Sequence, residues 1–279
     1  MPALEPDASA RGAAWADLSA WRKVAATGPD APAWLHDLVT ASVEDLEPGR
    51  ARRSLLLTPT GRIRADVTVA RLREDFLLVQ APDQPGAILD LLSPFVLSSE
   101  VELRDESERP LIALLDHEGP VAAEHYRPSA LGPGVDVLPG GEEGELTAGL
   151  ERLGDDALEA RRIARGQARF PVDLTTASLP HEAGLDHAIA YDKGCFLGQE
   201  AVAKVRNLGH PPRLVLHLAA GEPVRAGEQI VAAEREVGGV TSASGSHAIG
   251  TVRWDAREER LATAGGVELT PLGLASGAP

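Results

Sequence analysis

The residues best suited to chemistry lie in one stretch, Asp192 to Val205, which reads Asp-Lys-Gly-Cys-Phe-Leu-Gly-Gln-Glu-Ala-Val-Ala-Lys-Val. It holds the only cysteine, Cys195, and two of the chain's three lysines, Lys193 and Lys204, in a protein whose positive charge is otherwise arginine. Gly194 and Gly198 bracket the cysteine and permit a tight loop, and Gln199 to Val205 is a run of helix formers with Glu200 and Lys204 four residues apart. This spacing predicts Cys195 on a loop just ahead of a helix. There the helix dipole and the nearby Lys193 ammonium would favour thiolate, the reactive form of the side chain. A second reading stands beside it: free cysteines are commonly buried, and one flanked by Phe196 and Leu197 suits core filling.

Other candidates are spread along the chain. Alternation over Ile63, Ala65, Val67 and Val69 puts Arg62, Arg64, Asp66 and Thr68 on the opposite strand face, where Asp66 is either a functional carboxylate or an exposed residue paired with Arg62 or Arg64. Arg50, Arg52, Arg53, Arg62 and Arg64 form either an anion-binding group or a solvated face with ordinary ion pairs. His181 is either a proton shuttle for the thiol or a partly exposed loop histidine.

Composition limits the function. Hydrophobic residues at 43% and charged residues at 25% indicate a globular chain with a substantial core, and the length suggests about two domains. A net charge of −15, from 42 acidic and 27 basic side chains, argues against duplex nucleic acid as the main ligand. One cysteine excludes an intrachain disulfide and a self-contained cysteine-ligated cluster or zinc site, no His pair has metal spacing, and no metal is expected. No apolar run approaches bilayer-spanning length, and the expected compartment is the cytoplasm.

The elements that must position these residues follow from periodicity. Residues 1–13 read as a loose tail. A strand is predicted through Asp17, Trp21 and Val24 to Thr27, then a Gly-Pro-Asp turn and a helix capped by Asp30 through Trp34 and Leu38. A Pro/Gly turn at residues 58–61 separates strands at Leu55–Leu57 and Ile63–Val69. Phe76–Gln80 is a further strand, Asp83 caps a helix ending near Pro94, and Val101–Arg104 and Leu111–Asp116 are strands. Gly119 and Pro120 are expected to open a helix. Residues 131–145 read as a loop, and Asp156 with Glu159 as the capping box of a helix ending at Gly166. After residue 207, short strands with Gly-rich turns predict a small antiparallel barrel, and residues 273–279 read as frayed. The class is α+β.

The string Lys-Gly-Cys-Phe-x-Gly-Gln-Glu at residues 193–200 resembles the signature of the YgfZ family of folate-binding proteins, relatives of the glycine cleavage system T-protein, the aminomethyltransferase. Gly28 to Thr40, the Arg162-to-Gly166 segment, the Leu-Pro-His-Glu-Ala-Gly-Leu run at 179–185 and the Gly-Gly-Val-Thr-Ser hairpin at 238–242 resemble that wider family too. The resemblance implies a three-lobed ring: two interleaved α/β lobes over residues 14–207, then a C-terminal antiparallel β-barrel over 208–279. It implies tetrahydrofolate, or another reduced folate, bound by Asp66, Arg162, Gly194, Gly198, Gln199 and Glu200, with Cys195, Lys193 and Asp66 as the chemically active set. It implies assistance to iron–sulfur cluster synthesis or repair in client enzymes, including tRNA-modifying ones, with those clients or assembly proteins as partners. The alternative is a tetrahydrofolate-dependent one-carbon (aminomethyl) transferase or demethylase. Two positions depart from the aminomethyltransferase pattern: tandem aspartates are reduced to Ala65 and Asp66, and a pterin-contacting glutamate is replaced by Ala164.

Overall fold

Short apolar alternations separated by glycine and proline turns give a chain dominated by antiparallel pairing. The computed structural model describes residues 14–73 and 75–276, so the tail expected over residues 1–13 lies outside the described residues. Two compact units divide the described residues, one within 14–152 and 186–203, the other within 153–185 and 204–276.

The first unit runs through β1 (Ala14–Asp17), β2 (Arg22–Thr27), α1 (Ala31–Leu38), β3 (Ala51–Leu57), β4 (Ile63–Leu72), β5 (Asp75–Gln80), α2 (Ile88–Leu92) and β6 (Glu102–Asp105). It continues with β7 (Ile112–Leu115), β8 (Glu124–Tyr126), β9 (Gly134–Leu138), α3 (Glu143–Leu146) and β10 (Glu151–Arg152). Two five-stranded sheets result, ordered β3-β4-β5-β2-β6 and β10-β1-β7-β9-β8, so the two lobes interleave in sequence. Val24, Leu56, Val67, Val69, Phe76 and Leu78 share one face of the first sheet and bury against Trp34 and Leu35 of α1 and Ile88 and Leu92 of α2. Each such side chain contributes about 1.5–3 kcal/mol on removal from water.

Several local expectations give way to tertiary demands. The predicted strand from Asp17 to Thr27 is two strands in different sheets, parted by a turn in which the Trp21 amide donates to the Leu18 carbonyl at 2.8 Å. Asp30 does not cap α1 with its side chain, because that carboxylate accepts the Glu100 amide at 2.7 Å. Likewise α2 starts after Ala87 rather than at Asp83. No helix follows Pro120: residues 124–126 form β8, whose backbone completes the open side of β9. The supposed loop at 131–145 contains β9 and α3; Val135 and Val137 are fully buried, and β9 pairs with both β7 and β8.

The second unit contains α4 (Asp155–Ala164) and the later part of α5 (Gln199–Leu208), which begins in the first unit. β11 (Arg213–Ala220), β12 (Gln229–Ala232), β13 (Arg235–Ser244), β14 (His247–Arg253), β15 (Leu261–Thr263) and β16 (Glu268–Leu274) follow. They close into a barrel ordered β11-β14-β13-β12-β15-β16, filled by Leu214, Leu216, Leu218, Ile230, Val240, Val252, Leu261 and Leu269. A Cβ at Gly238 would fall 1.7 Å from the Thr251 carbonyl oxygen, so only glycine lets β13 approach β14 there. The capping box expected at α4 is absent: the helix starts after Gly154, and the Glu159 carboxylate pairs with Arg162 instead. Of the segment 273–279 expected to fray, Gly273 and Leu274 belong to β16 and Ser276 is bridged to Gln167, while 277–279 lie outside the described residues. The fold is therefore α+β, two α/β lobes and a closed antiparallel barrel.

Candidate functional site

The loop before α5 holds Cys195 exposed, while the next side chain, Phe196, takes the buried position. The core-filling reading of the cysteine thus fails, because alternation along the loop gives the interior to the larger apolar group. Two devices fix the loop. Gly198 has φ +85°, and a Cβ there would lie 2.5 Å from the Thr58 carbonyl oxygen, so the chain turns against the β3–β4 hairpin tip where only glycine fits. Beside it, the first turn of α5 packs on Gly61, where an added Cβ would come 2.8 Å from Ala201 Cβ. At Gly194, by contrast, a Cβ would meet nothing within 4 Å.

Lys193 supplies the second device. Its ammonium donates to the carbonyls of His36 and Val39, and to that of Ala41 at 3.0 Å, while sitting 5.0 Å from the centre of the Phe196 ring. These acceptors are at and just beyond the end of α1, where backbone carbonyls lack intrahelical partners. Lys193 therefore ties the cysteine loop to the helix end. Burial pulls its pKa down to about 8, against the opposing attraction of Asp37 and Glu44. Gln199 reaches back from the first turn of α5 to the Gly194 carbonyl at 3.3 Å, and Glu200 next to it is exposed.

Asp66 lies on β4, three residues beyond its start and about 10 Å along the strand. Its partner is neither Arg62 nor Arg64. Arg53 on β3 grips both carboxylate oxygens, Nε to Oδ1 at 3.0 Å and Nη2 to Oδ2 at 2.6 Å. Register explains the choice: Leu55 lies directly opposite Asp66 and Arg53 opposite Thr68, so the arginine reaches its diagonal neighbour. Burial disfavours the charged Arg53, but the Asp66 carboxylate outweighs it and the guanidinium pKa is raised.

The Asp66 backbone is held as firmly. Gln84 Oε1 accepts the Asp66 amide at 3.0 Å, and Gln84 Nε2 donates to the Asp66 carbonyl at 2.7 Å. Gln80 and Arg22 in turn fix Gln84, through its side-chain oxygen at 3.3 Å and its carbonyl at 2.9 Å. Sequence reasoning missed Arg53 as the partner and missed Gln84 altogether; neither carries a local signal, since Arg53 depends on sheet register and Gln84 reaches Asp66 from the loop between β5 and α2. Of the arginine group, Arg52 makes a forked pair with Asp45 at 2.7 and 2.9 Å, and Arg53 is taken up by Asp66.

Arg162 belongs to the second unit. Its five N–H groups make five bonds within the chain: Nε and Nη2 to Glu159, Nη1 to the Gln167 carbonyl and Asp173, and Nη2 to Ser242. Asp173, 2% exposed, also accepts from the Arg169 amide, Thr241 and Ser242. Arg162 thus fastens α4 to β13, and a ligand would have to displace one of these bonds. His181 is buried rather than loop-exposed, next to Glu182, whose wholly buried carboxylate pairs with Arg213 at 2.7 Å.

Among the described residues no group of three or more His, Cys, Asp or Glu side chains is placed to hold a metal ion. No helix among them is long and apolar enough to cross a membrane.

Comparison with known proteins matches two stretches of the chain. Residues 3–127 match the model of the GCVT N-terminal domain, and residues 213–273 that of the CAF17 C-terminal beta-barrel domain. An aminomethyltransferase of Streptomyces coelicolor is 28% identical over 285 residues, covering 84% of this chain and 75% of the relative. An aminomethyltransferase of Nostoc sp. is 26% identical over 291 residues, with 88% and 77% covered. The crystal structure of glycine cleavage system aminomethyltransferase T from Bartonella henselae superposes with a TM-score of 0.80 at 23% identity, covering 96% of this chain and 87% of that one. The chain therefore carries a GCVT-type N-terminal domain and a CAF17-type C-terminal barrel in the fold of aminomethyltransferase T.

Proposed function

We propose that this protein binds a reduced folate, tetrahydrofolate, and acts with it in the synthesis or repair of iron–sulfur clusters in client enzymes, including tRNA-modifying ones. One observation carries the reading: the only thiol of the chain is exposed on a loop that Gly198 and the Lys193 ammonium hold in place. An exposed, held cysteine suits exchange with a partner's thiol or sulfur, and burying it would have been the simpler fate for a structural residue. Asp66 fits a pterin as a hydrogen-bond acceptor. Arg53 uses both carboxylate oxygens from one side, and the remaining lone pairs can accept pterin N–H groups. In this reading Asp66 orients the folate and the loop from Gly194 to Glu200 shapes the pocket, and a folate-binding role for Arg162 is part of the same proposal, although its guanidinium also holds β13. When bound, tetrahydrofolate supplies one-carbon and redox chemistry at its reduced ring. The chain's own residues orient it and present the thiol. The assembly or client proteins are the macromolecular partners, met in the cytoplasm.

A second reading, a tetrahydrofolate-dependent aminomethyl transferase or demethylase, is favoured by the names of the relatives that align with most of the chain. Against it stands Ala65. Its side chain is wholly buried under α1, so the tandem position offers no second carboxylate beside Asp66.

Calorimetric titration with tetrahydrofolate tests both. Saturable binding that is lost in Asp66→Ala and kept in Cys195→Ala supports a folate site with a separate thiol function. Absence of binding by the unaltered protein refutes both folate readings. Turnover of an aminomethyl donor, abolished in Asp66→Asn, would replace the first reading by the second. Normal activity of cluster-dependent enzymes in cells carrying only Cys195→Ala would remove the thiol from the mechanism.

A further inference from the structure

The outer wall of the barrel carries a histidine pair that the cysteine loop and Asp66 leave unused. His217 on β11 and His247 on β14 are diagonal neighbours, since His217 pairs with Ile249 and Ala219 with His247. Leu216, Leu218 and Ala248 fill the interior, so the two imidazoles project outward. His217 Nε2 lies 3.2 Å from His247 Nδ1, with ring centroids 5.3 Å apart and planes inclined by 23°.

That separation suits metal chelation. Two imidazole nitrogens on a tetrahedral zinc, with bonds of about 2.0–2.1 Å, lie roughly 3.3–3.4 Å apart. The two nitrogens are hydrogen-bonded to each other, so one of them carries the proton between them; an ion taking its place displaces that proton and needs the pair to open by about 0.1–0.2 Å. Two further features prepare it. The chain at Gly166 presses on the other edge of His217: an added Cβ would come 2.7 Å from its Cγ and Nδ1, so Nε2 is the nitrogen turned toward the partner ring. Both rings also stand on hydrogen-bonded strands of a closed barrel, which limits the rearrangement that binding requires.

We propose that His217 and His247 form a two-nitrogen chelate for a borderline divalent transition ion of the zinc, nickel or copper class. Water, or a side chain donated by a docked partner, completes the coordination. Imidazole ligands select this class over magnesium or calcium, which prefer oxygen. The site is separate from the folate site and stands or falls without it.

Titration with Ni2+ and Zn2+ is the test. One equivalent of Ni2+ is expected to broaden the ring resonances of His217 and His247 before those of the other histidines. Saturable Zn2+ binding is expected to weaken tenfold or more in His217→Gln and in His247→Gln, and to persist in His210→Gln and in Cys195→Ser. If a glutamine variant fails to fold, the Ni2+ spectrum of the unaltered protein decides alone. Broadening centred on other side chains, or no saturable Zn2+ binding up to about 1 mM, overturns the proposal.

Discussion

Replacing Lys193 by methionine tests whether the cysteine loop is held by charge. Methionine keeps most of the side-chain volume but leaves the carbonyls of His36, Val39 and Ala41 without their donor. Three hydrogen bonds at about 1–1.5 kcal/mol each set the gain from the lysine near 3–4.5 kcal/mol. Holding the ammonium partly out of water offsets some of this. A pKa lowered from 10.5 to about 8 corresponds to roughly 3 kcal/mol, and solvent contact reduces that to about 1–2 kcal/mol. The net expectation for Lys193→Met is a loss of about 2–3 kcal/mol near pH 7, or roughly 5–10 °C in Tm. The pH dependence has a definite sign. Between pH 8 and 10.5 the unfolded lysine keeps a proton that the folded one has released, so the unfolded state binds more protons and stability rises with pH. The gap between parent and variant therefore widens across that window. Urea unfolding at pH 7, 8.5 and 10 measures the gap, and amide exchange over residues 193–199 reports loosening of the loop. A variant as stable as the parent at pH 7, with a gap constant up to pH 10 and unchanged exchange, would refute the tether.

Other perturbations separate shape from charge. Gly198→Ala places a Cβ 2.5 Å from the Thr58 carbonyl at φ +85° and should destabilise by more than about 3 kcal/mol, whereas Gly194→Ala, with open space around it, should stay within about 0.5 kcal/mol. Chemical denaturation of the two side by side checks this. Arg162→Met leaves Asp173 charged and buried without its guanidinium, and a loss of about 3–5 kcal/mol is expected from calorimetric unfolding. Asp136 is wholly buried, and burial raises its pKa to about 6 despite donation from Ser129 and the Ala130 amide. Below pH 6 the folded state takes up a proton that the unfolded chain binds only near 3.8, so this group adds stability as pH falls from 6 to 4. The stability difference between the parent and Asp136→Asn, measured by urea unfolding at pH 7, 6 and 4.5, should shift toward the parent on acidification.

What could be read from the sequence, and what could not, divides along a physical line. Period-two alternation within a strand is local, so β4, β5 and the barrel strands were legible, and so was a glycine-bracketed loop running into α5. β9 was hidden because Gly132, Pro133 and Gly134 around it look like loop, while the two buried valines that define it are too few to stand out. Partnerships across a sheet were out of reach for a different reason. Arg53 and Asp66 meet because Leu55, not Arg53, is opposite Asp66, and a register is a property of two strands rather than of either. Lys193 shows the limit most clearly. Its residue type and its place two positions from the thiol suggested electrostatic tuning, yet its ammonium bonds to backbone carbonyls more than 150 residues away in sequence. Any amino acid presents a carbonyl, so such a partnership leaves no mark at the accepting positions. A lysine next to a cysteine in sequence can therefore serve the cysteine mechanically, by fixing the loop that presents it. Lys193→Arg distinguishes the two roles: the charge remains, but the broader guanidinium cannot reproduce the geometry of an ammonium among three carbonyls. If thiol chemistry depended on charge alone, Lys193→Arg would preserve Cys195 reactivity; if it depends on the loop being held, Lys193→Arg and Lys193→Met should lose it alike.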